Sequence, residues 1–87
     1  MGTSNVAASA TDVTLLASNA SRKSCEFYND SGATLYILCS NATSSATVFT
    51  AIVPPGALFE PPFGYTGVLK GIWTSADGGF ARVTENT

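Results

Sequence analysis

Cys25 and Cys39 are the strongest nucleophiles in this sequence, and their surroundings decide whether they could react. A thiol becomes a thiolate at neutral pH only beside a base or a cation. The chain has no histidine, so the commonest general base and metal ligand is missing. Lys23, two positions before Cys25 on the same strand face, is a weak activator. Both cysteines stand among apolar neighbours in stretches that read as strands, where a free thiol packs as a small hydrophobe; a disulfide between them is the alternative. Two cysteines without histidine cannot complete a four-ligand zinc site, so no metal or other cofactor is expected.

The carboxylates Asp12, Glu26, Asp30, Glu60, Asp77 and Glu85 are scattered over turns and strand ends. Acid–base hydrolysis would need two of them about 5–10 Å apart across a cleft, and a chain this short has little means to build one. "GYTGVLKG" (64–71) fits neither the phosphate-loop nor the dinucleotide pattern, and no helix follows it. No catalytic residue is assigned, and the chain reads as a non-enzyme. The sequons "NAS" (19–21) and "NAT" (41–43) match a glycosylation pattern by form and read as loops in a Ser/Thr-rich chain.

Four Lys and Arg against six Asp and Glu cannot form the basic face that nucleic acid requires, and a net charge of -2 disfavours docking on anionic lipid. No apolar run is long enough for a membrane helix, and the first twenty residues lack the pattern of a secretory signal. Only 11 % of the 87 residues are charged while 45 % are apolar. Sparse charge on a chain with a marginal core suits a protein that packs into something larger.

Short apolar runs separated by turn signals predict a single antiparallel all-β domain, a small β-sandwich or jelly-roll-like barrel of about seven strands over residues 12–87. Candidate strands are 12–17, 23–29, 33–40, 47–53, 57–60, 67–75 and 79–85. Residues 1–11, small and polar without periodicity, read as a flexible N-terminal arm. Pro55-Gly56 suits the centre of a type II turn. "NDSG" (29–32) predicts a hairpin that sets Phe27 against Tyr36, or in a longer loop Cys25 against Cys39. Asp77-Gly78 predicts a type I′ hairpin with Trp73 opposite Arg82, Ile72 opposite Val83 and Lys70 opposite Glu85.

"YNDSGATLY" (28–36), "PFGYTGVLKGIW" (62–73) and "ARVTE" (81–85), in that order, resemble a group of small virion proteins of tailed bacteriophages and cyanophages. The resemblance spans roughly Leu16 to Glu85. It implies a structural protein of the virion, made in the host cytoplasm and carried on the capsid surface, of the decoration or cement type. Such a protein binds the major capsid protein, as a homotrimer at local three-fold axes. A tail, neck or fibre component is the alternative, and a carbohydrate- or receptor-binding module a further one. The stretch 61–73 then reads as a rigid β corner, and Phe63, Tyr65, Trp73 and Arg82 are the candidate protein-contact residues. For Phe63 and Trp73, burial in the core or in a subunit interface is the competing role.

Overall fold

The computed structural model describes residues 2–87, the side chain of Phe63 excepted. Eight strands follow one another: β1 (Gly2–Ala7), β2 (Val13–Leu16), β3 (Ser24–Asp30), β4 (Leu35–Leu38), β5 (Ala51–Val53), β6 (Leu58–Phe59), β7 (Leu69–Trp73) and β8 (Phe80–Asn86). Among the described residues the one helical segment is a 3-10 turn at Pro62–Gly64.

The pairing is nested. β4 pairs with β5, β3 with β6, β2 with β7 and β1 with β8, all antiparallel. The chain is thus one long hairpin whose two arms are its first and second halves. Two further pairings, β3 with β8 and β4 with β7, roll that hairpin up. The product is two four-stranded sheets, ordered β1-β8-β3-β6 and β2-β7-β4-β5. This is jelly-roll connectivity. The expected small β-sandwich is therefore the fold, built from eight strands in two open sheets.

Period-two alternation explains the core. Phe27 and Cys25 on β3, Leu35 and Ile37 on β4, Leu69 and Trp73 on β7, and Ala81 and Val83 on β8 all point between the sheets and are buried. At the PPG turn, the Ala57 N–H donates to Pro54 O at 3.0 Å and Gly56 takes φ 79°, the type II geometry expected there.

Both predicted hairpins are replaced by crossings from one sheet to the other. β7 and β8 lie in different sheets, so Trp73 pairs with Leu35, while Arg82 pairs with Tyr28 and Asn5. The physical reason is face matching. The expected register would have placed inward Trp73 beside outward Arg82, and inward Val83 beside outward Ile72. Each strand buries its apolar face only when the two oppose one another across the core. Asp77 still organises the corner, its carboxylate accepting from the N–H groups of Gly79 and Gly32.

The "NDSG" stretch likewise carries the chain from β3 to β4 in opposite sheets, and it does so around a buried asparagine. Asn29 Nδ2 donates to the carbonyls of Ala33 and Val53, both at 2.8 Å, while its Oδ1 accepts from Ser31 Oγ and Trp73 Nε1. Cys25 and Cys39 are both free. Residues 2–7, expected as part of a flexible arm, form edge strand β1 in continuous register with β8. A backbone ladder needs no apolar alternation, and only Val6 of this strand packs against the core.

Candidate interaction surface

Most chemistry-bearing side chains are committed internally. Cys25 is buried in the core, and desolvation pushes its thiol pKa up, the opposite of what a nucleophilic thiolate needs. Burial raises the Cys39 thiol as well. Asp12 accepts hydrogen bonds from the N–H and hydroxyl of buried Ser44 and pairs with Lys70 Nζ at 3.0 Å. Burial alone would raise its pKa, but the Ser44 hydrogen bonds and the Lys70 ammonium outweigh that and hold the carboxyl below its ordinary value. Among the described residues no three Cys, Asp or Glu side chains gather as metal ligands, and no pocket of ligand size opens.

Arg22 was legible only as part of a loop, yet its side chain makes four hydrogen bonds, as many as that of Asn29. It is buried, with Nε donating to Glu85 Oε2 at 2.8 Å, Nη1 to the carbonyls of Tyr65 and Gly67, and Nη2 to Ala17 O. One guanidinium thus holds the 17–23 loop, the 65–67 corner and the end of β8 together. No sequence signal marks it, because its acceptors are backbone carbonyls from distant segments.

The four candidate contact residues separate. Trp73 is only 2 % exposed and bonded to Asn29, so it is a core residue with no face for a partner. Tyr65 folds back on its own corner: its hydroxyl donates to Val68 O at 2.7 Å, and its ring lies so close over Gly67 that a Cβ there would come within 2.5 Å of the phenol oxygen. Arg82 is exposed on the first sheet, paired with Asp30 at 2.9 Å and lying over the Phe80 ring. The side chain of Phe63 lies outside the described residues.

The apolar surface lies elsewhere, and the register defines it. On the outer face of the second sheet, Ile72, Tyr36 and Ile52 stand side by side across β7, β4 and β5. The Phe49 ring, from the loop before β5, packs 5.0 Å from that of Tyr36. Ile52 is 54 % exposed, and Val48, in the loop before β5, is exposed as well. The strands of this sheet contain one charged residue, Lys70, already neutralised by Asp12. Those of the first sheet contain Glu26, Asp30, Arg82 and Glu85. Both outer faces expose apolar side chains, since Tyr28 and Leu58 pair across β3 and β6 on the first sheet and are both exposed. The faces differ in charge, because that pair stands beside Arg82 on a sheet that also carries Glu26 and Asp30, whereas the row on the second sheet has only the neutralised Lys70 near it. Sequence reasoning missed the row because it comes from three strands whose pairing order was not readable.

No family model matches the chain, and neither the curated proteins nor the solved structures contain a similar one.

Proposed function

We propose that this chain is a structural protein of a tailed-phage virion, a capsid decoration protein that binds and stabilises the lattice of the major capsid protein. The observation that carries the proposal is the Ile72–Tyr36–Ile52 row on a face without unpaired charge. Such a row gains free energy by burial against another protein, at about 25 cal/mol per Å² of apolar surface removed from water, and its lack of charge avoids a desolvation penalty on docking. A partner that binds only the assembled lattice shifts assembly toward that lattice by mass action. The ordered resemblance of residues 28–36, 62–73 and 81–85 to small phage virion proteins supports the same reading and supplies the partner. The carbohydrate-binding alternative drew on Trp73, Tyr65 and Phe63, and of these Trp73 is buried and cannot stack on a sugar.

The test is to mix the purified chain with shells from the parent particle that lack it, then sediment them. Co-sedimentation at a saturating ratio, with added density on the capsid surface in electron micrographs, supports decoration. Density confined to the tail or neck selects the alternative virion position, and no binding to any part of the particle contradicts the proposal.

A further inference from the structure

A jelly roll of two open sheets has four edges, and three of them are blunted. β2 is bulged between Thr14 and Leu16, β5 has three residues and runs into Pro54, and β6 has two residues between proline pairs. These are the devices that keep sheet edges from pairing. The fourth edge, β1, has none of them: "GTSNVA" is six residues long, regular against β8, and contains neither charge nor proline.

Its hydrogen-bonding groups can be assigned. The Ala8 N–H donates to Gly79 O, which places even-numbered residues in the ladder with β8. In an antiparallel pair such positions alternate, so Thr3, Asn5 and Ala7 direct their N–H and C=O groups away from the sheet. Three donors and three acceptors in an extended row are the complement of another strand.

We infer that β1 pairs antiparallel with β1 of a second copy of this chain, Asn5 facing Asn5 across a two-fold axis. In that register Thr3 faces the partner's Ala7, and each of the three residue pairs exchanges two hydrogen bonds, so all six groups on each copy are used. A slip by one residue leaves them mismatched. The lack of charge on β1 means that no like charges meet across the axis. A three-fold ring would need β1 to pair with a different edge, and the blunted β2, β5 and β6 offer none of its length. The contact does not rest on the virion reading and holds whether or not the chain docks on a shell.

Asn5→Asp tests it without loss of the fold, because residue 5 stands opposite Arg82 within its own sheet, a favourable partner for a carboxylate. Across the axis two carboxylates would face each other. Sedimentation equilibrium of the wild type is expected to approach the mass of two chains as concentration rises, and Asn5→Asp to raise the dissociation constant about fivefold. Amide exchange supplies the second readout: protection at Thr3, Asn5 and Ala7 should increase with concentration in the wild type and not in the variant. A mass of one chain at all concentrations with rapid exchange at those amides, a mass of three chains, or a dimer indifferent to Asn5→Asp would overturn the inference.

Discussion

Arg22 is the side chain on which one end of the molecule depends. Four acceptors from three segments converge on its buried guanidinium, the Glu85 carboxylate among them remaining partly exposed. Removing it leaves three backbone carbonyls without their donor and the partly exposed Glu85 carboxylate without its partner, so Arg22→Met should cost about 3 kcal/mol, a large part of a typical domain's stability. Urea denaturation of the variant measures it. Asp12 makes a pH prediction. Its folded pKa lies below the unfolded one, so its contribution is complete above the unfolded value of about 3.9 and is lost as the pH falls through the folded value. The denaturation midpoint of the wild type should therefore fall more steeply on acidification than that of Asp12→Asn. Neither role was readable in the sequence. A lone arginine in "SNASR" looks solvated, and Asp12 meets Ser44 and Lys70 only after the chain has folded.

The strands themselves were legible, and their partners were not. Alternation in "KSCEFYN" and "VLKGIW" marks which side chains face inward, and all seven expected strands are present. Pro55-Gly56 was readable too, because a type II turn asks for those two residues at those positions. Asp77-Gly78 and "NDSG" show the limit of such signals: the chemistry that suits a tight hairpin also suits a corner between sheets. Only the requirement that inward faces oppose one another decides between them. β1 escaped detection because an edge strand held mainly by backbone bonds has no apolar pattern. At the PPG turn, a Cβ on Gly56 would meet nothing within 4 Å, so the cost of a side chain there comes from φ 79° alone. Gly56→Ala should lower stability by about 1–2 kcal/mol, read from the shift in denaturation midpoint at an unchanged slope.

As a whole, the molecule joins its ends. Gly2 lies opposite Glu85, and each strand of the first half pairs with its counterpart in the second. Such non-local pairing requires long loops to close before contacts repay them, so refolding is expected on the millisecond-to-second scale typical of β-sandwiches. Trp73, the single tryptophan and a core residue, is the built-in probe for stopped-flow measurement of that rate. The same rolling-up creates the difference between the two broad faces, which no single strand displays. The most direct test of decoration by the apolar face compares capsid binding of the wild type with that of Ile52→Asp, an exposed position that can accept a carboxylate without disturbing the core, and of Glu26→Gln on the opposite sheet. The account predicts that Ile52→Asp, at unchanged circular dichroism, no longer co-sediments with undecorated shells while Glu26→Gln still does. Binding by Ile52→Asp at the wild-type level, or no binding by the wild type itself, would contradict it.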